Sequence, residues 1–210
     1  MADSAVFLRP NHNDMVLPIV AYGDPVLRQV GQDITPEYPE LKGLIANMYD
    51  TMYHAYGVGL AAPQIGLPIR LFVVDTEPFH DSDDVPEAAR ETLKNFKRTF
   101  INARMLKEEG ELWKFNEGCL SIPEVREDVI RHAVITLEYQ DENFQTHTEQ
   151  FEGLIARVIQ HEYDHIEGIL FTDLVPPIKK VLIKKKLQKI MDGKVFPDYR
   201  MRFAQRKGRS

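Results

Sequence analysis

Between residues 40 and 55 the apolar positions Leu41, Leu44, Ile45, Met48 and Met52 recur every three or four residues, which predicts an amphipathic helix that stops at Gly57. Residues 69–75, IRLFVVD, are an apolar, branched run and read as a buried strand. Strand-like patterns return at residues 99–101 and 129–139, the second followed by a turn at residues 141–143. Over residues 153–167, Leu154, Ile155, Val158, Ile159 and Ile166 fall at helical intervals, and Gly168 stands where a C-cap glycine belongs. That segment is a buried central helix. A basic helix, KKVLIKKKLQKIM, follows Pro176 and Pro177 and ends at Gly193. A short helix or turn is expected at residues 24–30, then a proline-rich connector, and an acidic surface loop at residues 77–91 with some helix near its end. Helices with several strands and no βαβ repeat predict an α+β fold, with antiparallel or mixed sheets around the central helix and a further helix at the C-terminal end.

Composition adds little to the fold but removes several function classes. With 210 residues, 43% of them hydrophobic and 28% charged, the chain is long enough for one ordinary globular domain. No apolar run nears the roughly 20 residues of a membrane span, and the first residues lack a secretory pattern, so a cytoplasmic protein away from membranes is expected. Residues 1–15 read as a flexible leader, 16–195 as the single catalytic domain and 196–210 as a basic, flexible tail. The lone cysteine excludes an internal disulfide and leaves Cys119 as a packing residue, a metal ligand or a nucleophile. Although the net charge is −6, residues 179–210 hold 12 of the 26 Lys and Arg against only two acids, Asp192 and Asp198. A solvated face explains such a run, and so does an anionic partner.

The sharpest chemical signal is His161-Glu162-Tyr163-Asp164-His165, an H-E-x-x-H sequence within the central helix. Two histidines four apart are offset by about 40° around a 3.6-residue helix, so both rings reach one ion from the same face. Glu162 is placed to handle the protons of a water there. The extended protease pattern would put a third histidine where Phe171 stands, and the basic tail offers no glutamate on a suitable helix. The remaining candidate for a third ligand is Cys119, in Glu117-Gly118-Cys119-Leu120-Ser121-Ile122-Pro123; a lone cysteine is also commonly inert and buried. A Cys/His/His set leaves a tetrahedral position open for water. The stretch Gly57-Val58-Gly59-Leu60-Ala61-Ala62-Pro63-Gln64-Ile65-Gly66 superficially fits a dinucleotide fingerprint, but a helix precedes it and Pro63 follows, so no nucleotide cofactor is expected. It reads as a turn, or as a loop that aims Gln64 at a developing oxyanion.

Taken together, GVGLAAPQIG, EGCLSIP and QHEYDHIEG resemble the three signature segments of the bacterial-type peptide deformylase family, in order and across residues 16–176. The resemblance implies a hydrolase that takes the formyl group from the N-terminal formylmethionine of nascent peptides. It implies that Cys119, His161 and His165 bind the metal, that Glu162 moves protons, and that Gln64 with the Leu120 N–H stabilises the oxyanion. Val58, Phe115, Leu154 and Val158 would form the methionine pocket, and Gly57, Gly59 and Gly118 would bracket the peptide backbone. Arg157 would line the slot with its stem and send its guanidinium outward. Arg126 is expected near the substrate entrance, and Arg131 could pair with Glu117. The resemblance further implies Fe2+ as the metal, with Ni2+, Co2+ or Zn2+ able to substitute. The basic C-terminal helix would suit ribosomal RNA on the ribosome. Two other classes compete: a metalloprotease cutting internal peptide bonds, and a binding module with a structural metal.

Overall fold

The apolar runs of the central strand and the central helix find covering layers, and the order of layers follows from which faces those runs leave bare. In the computed structural model, which describes residues 15–79, 85 and 87–204, the elements are β1 (Ile19–Val20), α1 (Leu41–His54), β2 (Gly59–Ala61), β3 (Leu71–Asp75), α2 (Glu87–Lys94), β4 (Lys97–Cys119), β5 (Ile122–Gln140), β6 (Thr146–Glu152), α3 (Gly153–Ile166), α4 (Phe171–Leu174), α5 (Pro177–Met191) and β7 (Met201–Arg202). Strands β2-β3-β4-β5-β6 form one antiparallel sheet in that order, and β1 pairs with β7 in a small parallel one. This is the α+β arrangement that the sequence pattern predicts.

Strand β3 is apolar from Leu71 to Val74 because both of its faces are covered. Phe72 and Val74 pack with Ile155, Val158 and Ile159 of α3, whereas Leu71 and Val73 pack with Ile45, Met48 and Met52 of α1. Burying such side chains stabilises by about 1.5–3 kcal/mol each, so β3 anchors two helices at once. The strand pieces expected at residues 99–101 and 129–139 prove to be parts of a far longer hairpin of 23 and 19 residues. Its middle escapes a periodicity search because residues 106–112 are largely exposed and polar. Four shifts of register bend it. Past the bend, Trp113, Phe115, Glu117 and Cys119 turn toward α3 while Lys114 and Asn116 face solvent.

Helix α3 is buried over most of its length, Arg157, Glu162 and His165 included. Gly168 ends it as the sequence predicts, at φ +71, and a Cβ there would lie 2.7 Å from the Arg28 carbonyl oxygen. The tail expected to be flexible from residue 196 is instead part of the fold as far as Ala204. Its backbone pairs with β1, the Ile19 N–H donating to the Arg200 carbonyl at 2.9 Å and the Ala21 N–H to the Arg202 carbonyl at 2.9 Å. A two-residue pairing of this kind leaves no periodic trace in a basic segment. The leader at residues 1–14, the stretch 80–84 and the last six residues lie outside the described part. Helix α5 buries Ile183 and Ile190 but leaves Ile178, Val181 and Leu182 exposed.

Candidate metal and active site

Strand periodicity and helix periodicity meet at one point. On α3, Arg157, His161 and His165 follow each other every four residues and share a face. On β4, Glu117 and Cys119 are two apart and share the opposing face. The ligand atoms of Cys119, His161 and His165 all lie within 4.8 Å of one another, and the Cys119 Sγ is 3.2 Å from the His165 Nε2. Bonds of roughly 2.0–2.3 Å to a tetrahedral ion require ligand atoms about 3.5 Å apart, so the trio fits a divalent metal. The donors are a thiol sulfur and two imidazole nitrogens, the ligands that zinc and late first-row metals prefer.

One buried carboxylate fixes this geometry. Glu117, 4% exposed, accepts from the Arg131 Nε at 2.7 Å and an Arg131 terminal nitrogen at 3.1 Å, from Arg157 at 3.0 Å and from the His161 Nδ1 at 2.9 Å. A carboxylate only accepts, so His161 presents its Nδ1–H to Glu117 and turns Nε2 into the site. Burial alone would raise the Glu117 carboxyl, but hydrogen bonds from His161 and Arg131 hold it well below the usual carboxylate range. Burial would also lower His161, yet its hydrogen bonds with Cys119 and Glu117 prevail and lift it well above the ordinary imidazole range, so that a metal binding there displaces the Nε2 proton. Burial pushes His165 well below that range, which leaves a neutral ring suited to ligation.

Glu162 occupies a pocket of its own. Among the described residues its buried Oε2 has no hydrogen-bond partner, and burial pushes the carboxyl up to about 7. The carboxylate reaches this place because position 59 has no side chain: a Cβ on Gly59 would lie 2.4 Å from the Glu162 Oε1. Two other glycines make room in the same way. A Cβ on Gly57 would lie 2.8 Å from the Leu120 Cδ1, and one on Gly118 2.8 Å from an Arg126 terminal nitrogen. Gln64 is pinned by the Ala61 N–H, which donates to its Oε1 at 2.8 Å. That bond turns its Nε2 toward the Cys119 Sγ and the Ser121 Oγ, both at 3.4 Å.

Against this site opens a cavity of about 380 Å3. Gly57, Val58, Gly59, Gln64, Phe115, Gly118, Cys119, Leu120, Arg126, Val158, His161 and Glu162 line it. Leu154, expected in the methionine pocket, is not among the lining residues; it packs half-buried against the main core. Arg157 lines the cavity as expected, but its guanidinium does not run outward. It is 2% exposed, and its guanidinium points inward, donating to Glu117, to the Val129 carbonyl at 3.3 Å and to the Trp113 carbonyl at 2.7 Å. It lies 4.3 Å over the Trp113 ring. The carboxylate and carbonyls take up its two terminal nitrogens, while among the described residues the buried Nε has no partner. Arg131 is likewise buried and joins Glu117 to Asp164 at 2.7 Å rather than forming a surface pair. Arg126 is held at the rim by Asn116, at 2.9 Å through the side chain. The sequence reading missed Tyr56, Phe79, Ile122, Pro123, Glu124 and Val125 in the lining; Ile122 stands inside the cysteine motif and Val125 two residues beyond it, so both could have been found from it.

The sequence profile of the family described as polypeptide deformylase matches residues 16–181. The chain belongs to the polypeptide deformylase family. It is similar to the peptide deformylase of Flavobacterium johnsoniae, 67% identical over 93% of this chain and 100% of the relative, and to that of Christiangramia forsetii, 59% identical over 90% and 96%. Among solved structures it resembles a peptide deformylase from Legionella pneumophila, with a TM-score of 0.71 and 34% identity over 83% of this chain and 95% of that one. Another from Thermotoga maritima gives a TM-score of 0.67 at 37% identity over 78% and 99%. Deformylases are metal-dependent hydrolases that remove the formyl group from N-terminal formylmethionine.

Glu117→Gln removes the only charge that faces both Arg157 and His161 at this hub. Denaturant unfolding should show a loss of about 3–5 kcal/mol, the usual cost of breaking a buried ion pair. Metal affinity, measured by competition with a chelator, should fall about 10–100-fold. A variant with wild-type values for both would remove Glu117 from its organising position.

Proposed function

We propose that Cys119, His161 and His165 hold one divalent metal, that Glu162 moves the protons, and that Gln64 and the Leu120 N–H receive the oxyanion while the formyl group leaves an N-terminal formylmethionine. The observation that carries this reading is the Glu162 carboxylate, buried, lacking a partner for one oxygen, and facing an apolar cavity beside three converging ligands. The metal, when bound, lowers the pKa of water toward neutrality and polarises the formyl carbonyl. Glu162 takes a proton from the water that attacks the formyl carbon, and a carboxyl poised near 7 does so at physiological pH. Negative charge grows on the former carbonyl oxygen, where the Gln64 Nε2 and the Leu120 N–H donate to it. The carbon–nitrogen bond then breaks, Glu162 returns its proton to the departing amine, and formate leaves with a free methionine N-terminus.

Val58, Phe115 and Val158, with Ile122 and Val125, supply an apolar slot for an unbranched methionine side chain. Gly57, Gly59 and Gly118 allow the peptide backbone to lie close, and Arg126 stands at the entrance.

Release of formate from formyl-Met-Ala-Ser should be measurable with the wild-type chain, at least a hundredfold slower with Glu162→Ala, and weak on the acetyl analogue. Cleavage of unformylated peptides instead would favour an internal protease; no formate from metal-loaded protein would leave a binding module.

A thiolate with two imidazoles suits zinc as well as iron, and family resemblance favours Fe2+, with Ni2+, Co2+ or Zn2+ as substitutes. Iron beside a thiolate reacts with oxygen, so the iron form should lose activity in air and the nickel form should keep it. Equal lifetimes of the two forms would argue against iron.

The finer reading of partners is that α5 docks on ribosomal RNA in the cytoplasm, where formylated chains emerge. No helix among the described residues is long and apolar enough to cross a membrane. Lys184, Lys185 and Lys189 are exposed along α5 and can contact phosphates. Deleting α5 would expose the contacts of Ile183 and Ile190, so charge reversal is the cleaner test. Replacing the three lysines by Glu should abolish co-sedimentation with ribosomes at low salt while formate release from a free peptide is retained; unchanged co-sedimentation would refute the reading.

A further inference from the structure

Beyond the ligands and the proton carrier, the turn that carries the Leu120 N–H raises a physical question. Strands β4 and β5 are joined by only two residues, Leu120 and Ser121, with Cys119 and Ile122 paired across them. Two-residue hairpins are self-supporting when left-handed residues, chiefly Gly or Asn, occupy the turn. Neither Leu120 nor Ser121 has a positive φ, so the geometry of this turn must be held from outside.

The holding groups come from both ends of the chain. The Ser121 carbonyl accepts from the Tyr22 N–H at 2.8 Å. The Leu120 carbonyl accepts from the Tyr199 hydroxyl at 2.8 Å, 79 residues away in sequence. Tyr22 directly follows the segment that pairs with Arg202, and Tyr199 directly precedes the one that pairs with Ile19. The two captured carbonyls are therefore held by one clip, the β1–β7 pair. The clip also reaches the segment that carries the other oxyanion donor: the Arg202 guanidinium lies against Gly66, where a Cβ would come within 2.4 Å of it, and Gly66 caps the short helix that contains Gln64.

We propose that Tyr199 is a positioning residue for the reaction, and that segment 199–202 is a strap setting the Leu120 N–H and Gln64 toward the same oxygen. The inference rests on the reading that these two groups receive the oxyanion. Its physical basis is that Leu120 is constrained on both sides. Cys119 is fixed by strand pairing and by its place among the ligands, and the Leu120 carbonyl is fixed by Tyr199. The direction of the N–H between them is thus defined. Burial raises the Tyr199 phenol, so the hydroxyl remains a donor throughout the working pH range. Its ring packs half-buried on the α1 side of the core, and Phe can replace it without losing that packing.

The test is Tyr199→Phe in the metal-loaded full chain, beside Gln64→Glu, which keeps an oxygen for the Ala61 N–H and removes the donor. Tyr199→Phe should lower kcat about tenfold, the weight of one hydrogen bond expressed in the transition state, with KM changed less than about twofold. The cobalt(II)-substituted variant should keep the wild-type absorption spectrum and thermal midpoint, because ligands and core are untouched. Combined with Gln64→Glu, the Tyr199→Phe substitution should cost less than it does alone, since both act on one oxygen. Unchanged kcat in Tyr199→Phe, or a loss accompanied by an altered cobalt spectrum or a collapsed midpoint, would overturn the strap. Full activity in Gln64→Glu would instead overturn the oxyanion reading itself, whatever Tyr199→Phe does.

Discussion

The carboxylate of Glu117 gathers two guanidiniums and an imidazole in a largely buried space at the floor of the cavity, and the rest of the site is built around that gathering. Such a cluster adds little net stability, because the desolvation of four charged or polar groups offsets most of their attraction, and apolar residues of similar volume would hold the elements together as well. What it supplies is register. Glu117 belongs to β4, Arg131 to β5, and Arg157 and His161 to α3, so one carboxylate relates three elements that could otherwise slide. A shift of one residue in β4 would turn Glu117 and Cys119 to the solvent face together. The ligand and the group that orients its neighbour are therefore placed by a single constraint.

Close backbone approach is the second constraint, and it acts where side chains would be in the way. Gly59 admits the Glu162 carboxylate, Gly57 admits Leu120, and Gly118 admits Arg126. None of the three has a positive φ, so conformational freedom is not the reason for glycine here; space is. The same reasoning separates them from Gly168, whose left-handed φ and whose contact with the Arg28 carbonyl both exclude a side chain. A glycine-rich stretch thus looks like a nucleotide loop in sequence and acts as a set of vacancies in three dimensions.

These distinctions mark what the sequence made legible. The H-E-x-x-H helix could be read because its spacing is the geometry: four residues of α-helix bring two rings to one face. β3 could be read because both of its faces are apolar. The middle of the β4–β5 hairpin could not, since one side lies in water and bulges break its alternation. Strand β6 was also missed, because only Phe151 of its seven residues is buried. Arg157 was misread for a related reason. An arginine beside a cavity is expected to reach solvent, and only the fold shows Glu117, Val129 and Trp113 already waiting for its donors. The pairing of Arg131 with Glu117 was legible as a possibility, but its burial was not.

The ends of the chain carry this reasoning further. A local motif specifies a site only as far as local geometry can hold it, and a tight two-residue turn without left-handed residues is not held by its own sequence. Its orientation is then assigned to distant segments, here the strand before Tyr22 and the strand after Tyr199, which pair with each other and hold the turn. Pairing the two ends closes a loop of nearly the whole chain, whose entropic cost grows only slowly with its length. Sequence reading centred on catalytic motifs misses support of this kind, because the supporting residues bear no chemical signature: a tyrosine hydroxyl and a backbone N–H act by where they are, not by what they are.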